Sequence, residues 1–168
     1  MIWVVLLVIL VLACFSFVLL FGAPYLPTLG PQVTAALDML DLQPGQTMLE
    51  LGCGDGIVVL AAARRGLKVV GYELNPLIAF VAWLRTWRYH KNGQVKIVWG
   101  NFWNQKWPAA EGIFTFLLQK YTAQLDKKIV QYPHKPVKLV SFAFSIVDRQ
   151  PVRNEQGLYL YEYPAAKK

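Results

Sequence analysis

The stretch Glu50-Leu51-Gly52-Cys53-Gly54-Asp55-Gly56 constrains this chain more than any other part of it. Glycines at three alternate positions suit a turn with positive φ and weaken any helix or strand that contains them. The residues before it, 47–51, read as a short buried strand. The residues after it, 57–65, read as a helix, with Gly66 placed to end it in the left-handed conformation. A strand, a glycine loop and a helix form the ligand-binding turn of a doubly wound sheet, where ligands sit at the carboxyl ends of the strands. The spacing excludes two nucleotide readings. The dinucleotide pattern G-x-G-x-x-G needs a glycine where Ile57 stands, and a phosphate loop needs a Gly-Lys-Ser/Thr that does not follow.

The alternation continues downstream. Residues 68–72 read as a strand and 76–90 as a helix, with Leu77, Phe80, Val81, Leu84 and Trp87 on one face. Residues 95–99 and 112–118 read as strands, 122–131 as a helix and 137–144 as a strand. A last strand, 158–163, follows a segment without helical pattern and is expected to return antiparallel. Upstream, Val33, Ala36, Leu37 and Leu40 mark a helix over 32–42, with Pro31 near its start. The fold class is therefore α/β, a small doubly wound and mostly parallel sheet with helices on both faces.

Residues 2–21 contain one polar side chain, Ser16, and no charge. As a helix they extend about 30 Å, enough to cross a bilayer core. A signal peptide fits less well, because the basic n-region and small-x-small cleavage site are missing. The expected organisation is a transmembrane anchor at 1–22, a connector and helix at 23–45, and a ligand-binding domain at 46–168. The flanks of the span lack nearby Lys or Arg, so charge does not orient it. Cys14 and Cys53 lie in different settings, which argues against a disulfide, and their spacing matches no zinc site. The net charge of +7 fits either an acidic partner or a solvated basic surface beside a membrane. Arg85, Arg88 and Lys91 form a basic helix end, but no RNA-binding motif accompanies them, so nucleic acid is not the expected partner.

Three further positions bear on the ligand. Glu73 ends the second strand, 21 residues after Gly52, where a carboxylate can accept hydrogen bonds from both hydroxyls of a ribose. Asn101 follows the third strand, and its side-chain carbonyl can accept a hydrogen bond, beside the apolar Phe102. Cys53 has no His partner and reads as a small loop residue rather than a nucleophile.

The acidic-x-G-x-G-x-G pattern resembles the first motif of class I S-adenosylmethionine-dependent methyltransferases. A narrower resemblance is to small membrane-anchored lysine methyltransferases, those acting on the c-type subunit of ATP synthase and on the adenine nucleotide translocase. It is carried by the N-terminal span, Pro24-Tyr25-Leu26-Pro27-Thr28, the glycine loop and Gly71-Tyr72-Glu73-Leu74-Asn75-Pro76. Asn101-Phe102-Trp103 resembles that family's acid-Leu-Trp, with the acid replaced.

The resemblance implies S-adenosylmethionine as cofactor. It implies cofactor contacts from Glu50, Gly52, Cys53, Gly54, Asp55, Gly56, Glu73, Leu74, Asn75, Asn101 and Phe102. Tyr25, Pro27, Thr28, Trp103 and Tyr121 are the expected liners of a substrate channel. A membrane-associated protein lysine is the expected acceptor. A small lipophilic acceptor, or a tethered module that has lost catalysis, is the alternative. The segment Leu117-Leu118-Gln119-Lys120-Tyr121 lacks the Asn-Pro-Pro-Tyr type motif, which argues against adenine and glutamine-amide acceptors. The domain is expected to face the cytoplasm, where such a cofactor is made.

Overall fold

The computed structural model describes residues 1–6, 9, 28 and 30–165. Most of the predicted span lies outside these residues. Among the described residues, no helix is long and apolar enough to cross a membrane.

The domain alternates as its sequence pattern requires. Helix α1 (Gly30–Leu40) leads to β1 (Thr47–Leu51), α2 (Ile57–Arg64), β2 (Lys68–Glu73), α3 (Pro76–His90) and β3 (Val95–Trp99). Then come β4 (Gly112–Thr115), α4 (Thr122–Val130), β5 (Val137–Phe142), β6 (Arg153–Glu155) and β7 (Leu158–Tyr163). The seven strands form one sheet in the order β3-β2-β1-β4-β5-β7-β6. The first five positions are parallel, and β7 pairs antiparallel with β5 and with β6. The chain winds outward from β1 through β2 to β3, then crosses back to β4. The switch point between β1 and β4 opens a crevice at the carboxyl edge of the sheet.

Period-two alternation sorts the strands onto two cores. Met48, Val69, Phe114 and Val140 point to one side, under α1, α2 and α3. Leu49, Leu51, Ile113 and Leu139 point to the other, under α4. That second face has no α-helix between β3 and β4, only a 3-10 turn at Phe102–Asn104. An aromatic segment covers it instead, with Phe102, Trp107 and Tyr132 buried there. The Trp107 indole N–H donates to the Phe102 carbonyl at 3.0 Å, so its one polar group is satisfied.

Four expectations differ in detail. Strand β4 stops at Thr115 rather than residue 118, because the chain leaves the sheet toward the 3-10 turn Gln119–Tyr121. Strand β5 stops at Phe142, since Ala143 takes a left-handed conformation, φ 67°. Strand β6 was not expected. Its hairpin with β7 turns through Gln156 and Gly157, both at positive φ, the geometry a two-residue turn between twisted strands favours.

The fourth difference concerns α3. Asn75 caps it, accepting from the Leu77 and Ile78 amides, and Pro76 occupies the first turn. Its inward residues are the small ones, Ala79, Ala82 and Thr86. The helix sits so close to the glycine loop that a Cβ on Gly56 would lie 3.0 Å from the Ala82 Cβ. Leu77, Phe80, Val81, Leu84 and Trp87 do share a face, and it is the outer one.

This assignment of faces is testable by chemical denaturation. Truncation of the fully buried Leu139 to Ala is expected to cost roughly 2–5 kcal/mol. Phe80→Ser is expected to change stability by less than about 0.5 kcal/mol. A large loss at Phe80 would place that ring in the core instead.

Candidate cofactor site

The five parallel strands present their carboxyl ends along one edge, and the described site residues expected from the sequence gather there. Residues 50–56 run from the end of β1 into the loop after it, 73–75 run from the end of β2, 101–103 follow β3 and Tyr121 follows β4. Thr28 is buried. Tyr25 and Pro27 lie outside the described residues.

The glycine loop is fastened to β2. Gly52 and Cys53 both donate to the Tyr72 carbonyl, at 3.0 and 2.8 Å. Gly52 has φ 84°, and a Cβ built on it would meet nothing within 4 Å. The backbone is therefore open at Gly52 to a ligand's close approach. Gly56 starts α2 at φ 78° without a side-chain cap.

Glu73 is buried and holds the loop from the other side. Gly54 N–H donates to its Oε2 at 2.9 Å, and Asn75 N–H donates to Oε1 at 2.8 Å. Burial pushes its pKa up, while the Asn75, Gly54 and Leu74 amides pull it back. A carboxylate offers about four acceptor positions, so two backbone donors leave room for further hydroxyls.

Glu50 is the less satisfied acid. It is buried, and its Oε2 has no hydrogen-bond partner among the described residues. Burial, then the negative charges of Asp55 and Glu73, raises its pKa well above the ordinary range. A buried, orphaned carboxyl oxygen at the head of a glycine loop fits a cationic donor such as an ammonium. Asp55 is paired with Arg85 of α3, which ties the loop to that helix a second time.

Other expected residues are more committed. The Cys53 thiol is buried against Gly71, where an added Cβ would lie 3.0 Å from Sγ. Burial, then Glu50 and Glu73, pushes its pKa well up, so it is an inert thiol and the loop offers backbone at this position. Asn75 is fully buried as a helix cap, and its Nδ2 has no partner among the described residues. Leu74 gives its carbonyl to the Trp99 indole at 3.2 Å. Asn101 Oδ1 accepts from Trp103 N–H at 2.9 Å and keeps one lone pair. The Phe102 ring packs in the core, its centroid 4.6 Å from that of Trp103. This segment therefore offers an incoming base the Asn101 amide rather than an open Phe102 face.

Trp103 and Tyr121 come together, with ring centroids 6.2 Å apart. Lys128 holds this turn from α4, donating to the Trp103 carbonyl at 2.8 Å. Phe116 and Phe142 pack at 4.7 Å between centroids, just past β4 and at the end of β5. Gln119 bridges the two strand ends, donating to the Ser145 carbonyl at 3.2 Å. Sequence reading did not single out Phe116 or Gln119, and the parallel pairing of β4 with β5 brings them to the carboxyl edge of the sheet.

The family model of the ANTKMT methyltransferase domain matches residues 50–153, from the first acid of the glycine loop to β6. The chain is 32% identical over 130 residues to the adenine nucleotide translocase lysine N-methyltransferase of Mus musculus, covering 77% of this chain and 56% of that protein. It is 28% identical over 148 residues to a protein-lysine N-methyltransferase of Saccharolobus islandicus, covering 82% and 92%. The human lysine N-methyltransferase that acts on the c-type subunit of ATP synthase is 28% identical over 121 residues, covering 72% and 52%. The chain thus spans about half the length of the human and mouse relatives. A solved RNA methyltransferase from Salinibacter ruber, in complex with S-adenosyl-L-homocysteine, has the same fold. Its TM-score is 0.77 at 24% identity, covering 83% of this chain and 94% of that one.

The state of Glu50 has a consequence for stability. An acid whose pKa is raised by folding binds protons more tightly when folded, so stability falls as pH rises from the ordinary value of roughly 4.3 through the folded value. Glu50→Gln removes the buried charge. The variant is expected to melt higher than wild type at neutral pH and to lose that part of the pH dependence. Thermal melts from acid to neutral pH check this, and an unchanged profile would show that Glu50 is not ionising in the fold.

Proposed function

We propose that this chain, which belongs to the ANTKMT methyltransferase domain family, transfers a methyl group from S-adenosylmethionine to a lysine of a membrane-associated protein. The observation that carries the reading is Glu73: a buried carboxylate at the end of β2 that still has acceptor positions beside an open glycine loop. Glu73 would hold the ribose hydroxyls. The backbone of Gly52, Cys53, Gly54, Asp55 and Gly56 would lie along the cofactor, with the orphaned Glu50 oxygen fitting its ammonium group. Leu74 and Asn75 would shape the ribose side, and Asn101 the adenine side, with Phe102 supporting that turn.

When bound, S-adenosylmethionine supplies a methyl group on a positively charged sulfur, already activated for attack. The chain's task is then alignment and desolvation. A lysine ammonium cannot attack until it loses a proton, and a dry surrounding lowers its pKa. Trp103 and Tyr121 would form one wall of that channel. Tyr25, Pro27 and Thr28 would close it from the connector. The Trp103 and Tyr121 rings would hold the neutral amine in line with the methyl group that the cofactor would supply, and the proton given up by the lysine ammonium would pass to solvent.

The named curated relatives are lysine N-methyltransferases, which supports lysine as the acceptor. The uncharged segment at 2–21 supports a single-pass anchor at 1–22. Residues 23–45 would then form the connector and first helix, and 46–168 the catalytic domain on the cytoplasmic side.

Calorimetric titration of S-adenosylmethionine into the full chain in detergent tests the site. Glu73→Ala is expected to weaken binding at least about tenfold, since a hydrogen bond to a charged group is worth roughly 1.5–3 kcal/mol. Incubation with labelled cofactor and membrane extract is expected to yield methyllysine on hydrolysis. A folded wild-type chain that binds no cofactor would overturn the reading.

A further inference from the structure

Helix α3 turns its bulk outward. Its small residues Ala79, Ala82 and Thr86 are buried, while Phe80 is 58%, Trp83 45% and Trp87 46% exposed. The outer rings form a ridge: Phe80 and Trp83 stack at 6.1 Å and 11°, and Trp83 stacks on His90 at 5.8 Å. The ridge has a basic border. The Arg88 guanidinium lies 5.8 Å and the Lys91 ammonium 5.3 Å from the Trp87 ring. The helix contains no Asp or Glu. Between α2 and α3 a shallow cleft of about 280 Å³ is lined by Leu60, Arg64, Leu84, Arg85, Trp87 and Arg88. Arg85 is engaged with Asp55. Among the described residues, Arg64 and Arg88 are in no ion pair.

We propose that this outer face of α3 docks on an anionic phospholipid surface, with the aromatic ridge in the interfacial layer and the Arg64–Arg88 cleft on a lipid phosphate. Charge complementarity selects this occupant. A helix with Trp, Phe and Leu on one face, a basic border and no acid has the composition of a helix that lies in a membrane interface. Indole rings favour that depth because they are apolar with one polar edge. A short tether agrees with it: residues 22–29 reach at most about 28 Å when extended. The tether argument rests on the anchor reading; the charge and ring pattern do not. Docking would fix the catalytic edge relative to the membrane, since α3 begins at Asn75 of the site and Arg85 grips Asp55 of the glycine loop.

The test is hydroxyl-radical footprinting of the full chain in nanodiscs of phosphatidylcholine, with and without phosphatidylglycerol. The anionic discs are expected to lower oxidation of Phe80, Trp83 and Trp87 several-fold. Arg64→Glu combined with Arg88→Glu is expected to restore it, because each basic side chain near an anionic surface strengthens association about fivefold. Circular dichroism checks that the variant is folded. Equal oxidation in both discs overturns the proposal. So does protection that persists in detergent, which would mean that the chain's own N-terminal segment or a second copy covers the ridge. Flotation with neutral vesicles reports the anchor separately. If the chain fails to float there, the anchor reading falls, and charge-dependent flotation with anionic vesicles alone decides the docking.

Discussion

The carboxylate of Glu73 is the joint on which the candidate site depends. One oxygen takes the Gly54 amide from the loop after β1, and the other takes the Asn75 amide at the start of α3. A single buried acid thus links the turn to the start of the helix, which also meet at the Asp55–Arg85 ion pair and where Gly56 lies against Ala82. The loop has further fastenings: two amides on the Tyr72 carbonyl, Asp55 on Arg85, and the near-contact of Gly56 with Ala82. The result is a preorganised turn whose open side faces the crevice between β1 and β4.

Preorganisation here works against stability. Glu50 and Glu73 are both carboxyls held away from water, within reach of each other's field and of Asp55. Burying such a group without a full set of partners is unfavourable, and an unpartnered oxygen on Glu50 makes it more so. Active sites commonly retain strain of this kind because the binding partner relieves it. A ligand with hydroxyls for Glu73 and a cationic group for Glu50 would remove both penalties on binding.

Helix α3 answers to two demands. Its inner side must lie close to the glycine loop, and only small side chains permit that approach; Ala82 above Gly56 is the tightest point. The volume excluded from the interior has been moved to the outer face, where five large apolar side chains and Trp83 stand among basic ones. Such an exposed apolar face on one helix marks a surface for another phase or partner.

The doubly wound order, the glycine loop and the helix capped by Asn75 and Pro76 were legible in the sequence, because each rests on local chemistry: alternation, turn-forming glycines and a capping amide. The ends of β4 and β5 were less so, since where a strand leaves a sheet depends on neighbours distant in the chain. The β6–β7 hairpin had a signal in Gln156-Gly157 before an alternating run, which composition alone did not raise above the background. Periodicity showed that Leu77, Phe80, Val81, Leu84 and Trp87 share a face, but not which way it points. Contacts past the strand ends were likewise decided by tertiary structure: Phe116 meets Phe142 because β4 pairs with β5. Local patterns determine elements, since their energies come from residues near in sequence. Faces and sites are set by packing, whose energies come from residues that only folding brings together.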